Sequence, residues 1–264
     1  MKRWVKWTIG IVAALVVGSY GVMLQQKAAR HADASPLAMA ASVSDADVKV
    51  EYNTYLTFRP THVTERMGLI FYPGAYTDLR GYAPTLKPLA AAGYRVIAVP
   101  MPFELAILGI DSAAKVLAAN PDMKHWVIMG HSVGGTAAAA FASQNRAALD
   151  GVVIWDSFPA AFAALSDYEK PVWNIHRATP DKAPPETFTR QRHLFPANSQ
   201  WVPIPTGIHM YFGSFSGGGY KEDWAPGITE AEQHTQVVAG TLRALADVER
   251  SAGIAPVEAA PTSN

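Results

Sequence analysis

No cysteine occurs among the 264 residues. That absence removes disulfides, thiolate metal sites and cysteine nucleophiles together, and leaves the redox compartment open. An excess of charge of either sign is also missing, because 22 Lys and Arg balance 22 Asp and Glu. Without a basic field to gather phosphates, a nucleic-acid partner is not expected. The eight histidines, His31, His62, His125, His131, His176, His193, His209 and His234, form no H-E-x-x-H pair that would set two ligands on one helix face. No metal is assigned. Gly217-Gly218-Gly219 does not open a helix after a strand as a phosphate-binding turn would, so it reads as a flexible loop and no cofactor is expected. What remains is apolar: 49 % of residues are hydrophobic, enough for one substantial core.

The first residues stand apart. After Lys2, Arg3 and Lys6 the chain carries no charged residue from Trp7 through Gln26. That length approaches the roughly 20 residues a helix needs to cross hydrocarbon, and Trp4, Trp7 and Tyr20 suit the interfacial belts. The pattern predicts a signal anchor over residues 1–26. Three basic residues before the span, against Lys27 and Arg30 after it, direct the N-terminus to the cytoplasm and the folded domain outward. The alternative is a cleaved signal with Ala38-Met39-Ala40 as its small-x-small site, giving a secreted protein. Residues 27–47 lack a sustained apolar period and read as a linker, residues 48–250 as the folded domain, and residues 251–264 as a frayed tail.

Within 48–250, two β-rich stretches near 48–58 and 67–72 suggest an antiparallel start. Helices and strands then alternate: helix 82–92, strand 95–99, helix 104–119, strand 125–129, a helix behind it, strand 152–155, helix 160–165, strands 172–175 and 201–204, and a final helix 229–250. This is the signature of an α/β fold, a mostly parallel sheet flanked by helices. In such a sheet the carboxyl ends of the strands converge on one edge, where a site assembles.

One joint on that edge organises the rest. Trp126-Val127-Ile128-Met129-Gly130-His131-Ser132-Val133-Gly134-Gly135 runs from an apolar strand into an alanine-rich helix, with Ser132 in the spacing G-x-S-x-G. The two glycines permit the cramped backbone of a nucleophile elbow, and the helix N-terminus favours an oxyanion beside the hydroxyl. A serine that merely caps the helix is the plainer reading. As a nucleophile it needs a base and a group that orients the base. His209, after the last strand, is the candidate base; Asp181 and Asp156, after the two strands before it, are candidate acids.

These segments resemble the alpha/beta-hydrolase superfamily, and most closely its compact branch described as fold-5 hydrolases. The resemblance lies in the chain order Ser132, Asp181, His209, in the turn Phe71-Tyr72-Pro73-Gly74-Ala75-Tyr76, in the elbow, and in Gly207-Ile208-His209-Met210-Tyr211-Phe212-Gly213. It implies an alpha/beta-hydrolase fold with Ser132 as nucleophile, His209 as base, Asp181 as acid, and the N–H groups of Ala75 and Val133 as oxyanion hole. Asp156 is the alternative acid. A glycine that the family usually carries shortly before the acid is absent from His176-Arg177-Ala178-Thr179-Pro180-Asp181.

The chain thus reads as a membrane-anchored serine hydrolase of small acyl esters working through an acyl-enzyme. Too little chain lies between Asp156 and Pro171 for a cap domain, so the site is expected to be open. Tyr72, Tyr76, Phe103, Met210, Tyr211 and Phe215 are candidates for an apolar acyl pocket. A transacylase would use the same residues, and a non-catalytic tethered scaffold could share the fold.

Overall fold

The computed structural model describes Gly18 and residues 21–255. The expected membrane span therefore falls mostly outside the described residues; among these, no helix is long and apolar enough to cross a membrane.

A helix described over residues 21–30 (α1) leads into β1 (Ala32–Ala34) and α2 (Pro36–Ala41). The hairpin β2 (Val48–Tyr52) and β3 (Leu56–Pro60) follows, then β4 (Met67–Tyr72), α3 (Ala83–Ala91), β5 (Tyr94–Ala98), α4 (Ser112–Ala119), β6 (Trp126–His131), α5 (Val133–Gln144) and β7 (Gly151–Trp155). The chain continues through β8 (Val172–Ala178), α6 (Glu186–Arg190), β9 (Gln200–Pro205), β10 (Phe215–Gly217) and α7 (Glu230–Ser251). Eight strands form one sheet in the order β2-β3-β5-β4-β6-β7-β8-β9. Only the β2–β3 and β3–β5 pairings in it are antiparallel.

The central strands are buried on both faces, and their alternation divides the core. Leu69 and Phe71 of β4, Val127 and Met129 of β6, and Val153 and Trp155 of β7 pack with Leu86 of α3 and Leu245 of α7. Their sequence neighbours Ile70, Tyr72, Ile128, Val152 and Ile154 face the other way, against Val116 of α4 and the alanines of α5. Small residues let α5 lie close to the strands it follows, while α7 is fixed at its start by a capping box of Thr229 and Glu232. Because β4 pairs with β5 on one side and β6 on the other, the strand order switches beside β4. A crevice opens at the carboxyl ends there.

Three expectations are corrected. Residues 27–47 are part of the fold and not a linker: β1 pairs antiparallel with β10, Ala32 exchanges main-chain hydrogen bonds with Tyr76 (2.8 Å) and Asp78 (2.9 Å), and Ala38 of α2 is fully buried. This segment is held by backbone pairing, which leaves no apolar period to read. The helix expected over 104–119 is two 3₁₀ turns followed by α4, because Phe103 and Glu104 both take left-handed backbone angles that no α-helix admits. The helix expected over 160–165 is a 3₁₀ turn at Ala161–Ala163, with no inserted domain between β7 and β8.

Candidate active site

Ser132 sits between β6 and α5 with φ 54° and ψ −128°, a conformation costly for a residue with a side chain. The chain reaches it only because glycines flank it: a Cβ on Gly134 would strike the Tyr72 and Pro73 carbonyls, and one on Gly130 the Gly134 carbonyl. Hydrogen bonds from Ser132 N–H to the Trp155 carbonyl (3.1 Å) and from the Ser157 hydroxyl to the Ser132 carbonyl (2.6 Å) fix the turn. Among the described residues the Ser132 hydroxyl itself has no hydrogen-bond partner, and it faces a cavity of about 350 Å³. Ala75, Val133 and His209 line the same cavity. The backbone N–H groups of Ala75 and Val133 have no acceptor among the described residues either. Two free amide donors beside a free hydroxyl form the arrangement that can receive a carbonyl oxygen as it gains charge.

His209 follows β9 and is 5 % exposed. Its Nδ1 lies 2.5 Å from Oδ2 of Asp156. Asp156 comes directly after β7, with φ 47°, and its side chain is wholly buried. Burial alone would raise its carboxyl. The hydrogen bond from His209 and the positive charge of Arg177 prevail and hold it well below the usual carboxylate range. An ionised Asp156 only accepts, so Nδ1 of His209 carries the proton and Nε2 is left as the basic nitrogen.

The structure does not bring Asp181 to this place. It lies on an exposed turn, where its carboxylate accepts from the Thr179 hydroxyl. The reason is the length of β8, which continues past Ile175, pairing His176, Arg177 and Ala178 with β9. Three more residues at about 3.3 Å each carry the following turn about 10 Å beyond the expected strand end. The carboxylate beside His209 is that of Asp156.

Behind the elbow, the Tyr82 hydroxyl accepts the Gly74 N–H (2.9 Å) and stands 2.9 Å from Nδ1 of His131. It thereby ties the Gly74-Ala75 turn to the strand that carries Ser132. Burial, together with the neighbouring His209, holds His131 well below its ordinary range, so its ring stays neutral against His209 (4.4 Å) and Phe212 (5.3 Å). Of the residues expected in an acyl pocket, Tyr76 and Met210 line the cavity. Tyr72 instead bonds the Ile110 carbonyl (2.6 Å) deep under the sheet, and Phe215 packs edge-on to Tyr82.

Several contributors have no sequence signal. Arg30 and Ala32 wall the cavity from the N-terminal segment, next to Gly218, Gly219 and Tyr220. Tyr220 stacks on His209 at 4.1 Å, Glu222 accepts the N–H groups of His209 (2.9 Å) and Met210 (2.8 Å), and Trp224 donates to the Gly207 carbonyl (2.8 Å). Residues 220–224 thus strap the histidine loop down. Arg177 joins the strap to the acid by contacts to Asp156 and to Asp223 (2.6 Å).

His131, Asp156 and His209 place their donor atoms within 4.8 Å of one another, which could invite a metal ion. The guanidinium of Arg177 already contacts Asp156 and lies 3.2 Å from Nδ1 of His209. A second cation there would meet that charge at close range, so the donor set does not fit a metal.

The chain matches no curated protein. Among solved structures it resembles the ferulic acid esterase from Streptomyces cinnamoneus, at 19 % identity over 78 % of this chain and 73 % of that one, with a TM-score of 0.50. It also resembles Est1E from Butyrivibrio proteoclasticus with ferulic acid bound, at 13 % identity, 76 % and 98 % coverage and TM-score 0.54. Carboxylesterase CesB from Bacillus subtilis aligns at 10 % identity, 85 % and 97 % coverage and TM-score 0.51. At such identities the likeness concerns the fold. The sequence pattern of the alpha/beta hydrolase family, however, matches residues 68–235, which run from β4 through the elbow and His209 into α7. With that match, the sheet order and the elbow in agreement, the chain belongs to the alpha/beta hydrolase family.

Proposed function

We propose that this protein is a serine hydrolase that cleaves ester-like acyl bonds, with Ser132 as nucleophile, His209 as general base and acid, and Asp156 as the orienting acid. The observation that carries the reading is the 2.5 Å contact of Asp156 with Nδ1 of His209, in a histidine that shares one cavity with the unpartnered Ser132 hydroxyl. Nε2 of His209 takes the hydroxyl proton as Ser132 attacks the carbonyl carbon. The oxyanion is received by the N–H groups of Ala75 and Val133. His209 then returns the proton to the leaving alcohol, and water releases the acyl group by the reverse sequence. Arg30 and Lys221 at the rim form no ion pair among the described residues and no acid lines the cavity, so neutral and anionic esters suit it better than cationic ones.

Fluorophosphonate labelling tests the reading: wild type should label at Ser132, and Ser132→Ala should neither label nor turn over p-nitrophenyl butyrate. A folded wild type that never labels would exclude it. The anchor belongs to the same proposal. The uncharged run from Trp7 to Gln26 would hold the domain at a membrane, on its extracytoplasmic side. The chain should then stay with membranes through carbonate extraction, and a mature N-terminus near Ala41 would instead indicate a cleaved, secreted form.

A further inference from the structure

Glu104 lines a neighbouring cavity of about 520 Å³ that shares Thr77 with the catalytic one, and the reaction steps above do not use it. Its backbone is nonetheless costly. Phe103 and Glu104 take φ 53° and 60° in succession, and left-handed angles on residues with side chains persist only where the surrounding contacts over-determine them.

Glu104 is held at one end and holds at the other. Its carboxylate receives Lys27 Nζ on Oε1 and His31 Nδ1 on Oε2, both at 2.8 Å. Its main-chain carbonyl accepts the Tyr76 N–H at 2.9 Å. The carboxylate thus ties the end of α1 to this loop, and the carbonyl ties the loop to the turn that carries Ala75. Within that turn the Ala75 N–H shares a planar peptide unit with the Gly74 carbonyl, which accepts the Thr77 hydroxyl at 2.9 Å. The next peptide unit contains the Tyr76 N–H that Glu104 receives. Fixing the two planes on either side of the Ala75 Cα fixes its dihedral angles, and with them the direction in which its N–H points. Tyr76 is itself left-handed, at φ 56°, and its carbonyl is taken by the Ala32 N–H at 2.8 Å.

We propose that Glu104 is a positioning residue for the oxyanion hole: gripped by Lys27 and His31, it fixes the Tyr76 N–H and so aims the Ala75 N–H. The end of α1 is then coupled to stabilisation of the transition state. The proposal rests on the serine-hydrolase reading above. Without the grip, residues 103 and 104 relax from their left-handed angles and the Glu104 carbonyl leaves Tyr76. Substrate binding depends little on the hole, because a carbonyl oxygen asks little of it before it gains charge, so the loss belongs to kcat and not to KM. Removing an oxyanion donor outright costs about 10²- to 10³-fold in kcat; a donor present but misdirected should cost about 10- to 100-fold.

Turnover of p-nitrophenyl butyrate, together with inhibition by a trifluoromethyl ketone whose serine adduct carries an oxyanion, tests it. Glu104→Ala should lower kcat by about 10- to 100-fold, leave KM within about twofold, and weaken the ketone by the same factor as kcat. The double variant Lys27→Ala/His31→Ala, which removes the grip and leaves Glu104 in place, should behave alike. Glu104→Gly should recover part of the kcat lost in Glu104→Ala, since glycine takes the left-handed angle without the grip; loss of an ion pair that serves stability alone would give no such order. If Glu104→Ala does not fold, the double variant carries the test, its two side chains being 39 % and 27 % exposed. A folded Glu104→Ala or double variant with kcat within twofold of wild type, or with KM raised and kcat unchanged, overturns the role given to Glu104. So does a Glu104→Gly enzyme no faster than Glu104→Ala. These results leave the hydrolase reading intact. A folded wild type that neither turns over the ester nor is labelled by a fluorophosphonate overturns the hydrolase reading and this role together.

Discussion

Replacing Asp156 by Asn changes one oxygen to an amide nitrogen at nearly constant volume, and the effect is set by the donors around that carboxylate. Both of its oxygens face them. Oδ1 receives the Arg177 main-chain N–H at 2.9 Å, and Oδ2 receives His209 Nδ1 at 2.5 Å together with the Arg177 guanidinium. An asparagine must point its NH₂ at one of these. Turned toward His209, it forces the imidazole into the tautomer with the proton on Nε2, where it can no longer accept from Ser132. Turned toward the main chain, it leaves a buried N–H facing a donor. The first outcome is the one that, in the serine-protease template, lowers turnover by about 10⁴-fold, and we expect about 10³- to 10⁴-fold here. Stability should fall as well, because removing one partner of a buried ion pair costs about 3–5 kcal/mol. Arg177 retains Asp223, so the low end, about 3 kcal/mol, applies, equivalent to a Tm lower by about 6–12 °C for a domain of this size. The control is Asp181→Asn, whose exposed carboxylate lies away from His209 and accepts from the Thr179 hydroxyl. It should keep activity within about twofold and stability within about 0.5 kcal/mol. Ester turnover and thermal melts of both variants decide the matter. An Asp156→Asn enzyme within tenfold of wild type, or an Asp181→Asn enzyme crippled in its place, would refute the reasoning.

The same geometry carries three more expected outcomes. Asp156 has its folded titration depressed, so the stability it contributes is fully present above the unfolded carboxyl value of about 3.9 and is lost as pH falls toward the folded value. Urea unfolding between pH 3 and 6 should therefore show a gap between wild type and Asp156→Asn that narrows below about pH 4; a gap constant with pH would refute this. Gly134→Ala places a methyl against the Tyr72 and Pro73 carbonyls, so it should destabilise by about 1–3 kcal/mol by overpacking and should lower the labelling rate of Ser132; a melt like that of wild type would show that the turn has slack. Removing residues 1–20 should leave the Tm of the domain unchanged, whereas removing residues 1–34 deletes β1, exposes the edge of β10 and opens the cavity wall at Arg30 and Ala32. The second truncation should melt lower and label more slowly, and equal behaviour of the two would mean that β1 is dispensable.

Most of the sheet was legible because buried parallel strands are short apolar runs, and their alternation with helical segments leaves little choice of architecture. The elbow was legible for a different reason. Gly130 and Gly134 are imposed by main-chain contacts that admit no Cβ, so the motif records a steric fact of the turn itself. What failed to show were features fixed by pairing between distant backbones or by charge. Nothing in residues 32–34 announces a partner at 215–217, because Ala-Asp-Ala is too short a run, with side chains too small, to mark a strand; the pairing is a matter of main-chain hydrogen bonds.

The acid illustrates the same limit more sharply. Asp181 and Asp156 both come after strands, and the sequence offers the end of β8 as Ile175, the last residue of its apolar run. His176 and Arg177 break that run and look like the start of a loop, yet they are 2 % and 5 % exposed. They continue the strand because each has a partner there: the His176 ring meets the partly buried Trp201 ring at 5.4 Å, and Arg177 meets the buried Asp156. A polar residue that completes a buried ion pair is invisible to a hydrophobic pattern, since its burial depends on the residue that answers it and not on its own type. Asp156 and Arg177 therefore could be recognised only as a pair. Once Arg177 is placed inside the strand, Asp181 is carried out to solvent, and Asp156 is the carboxylate left within reach of His209.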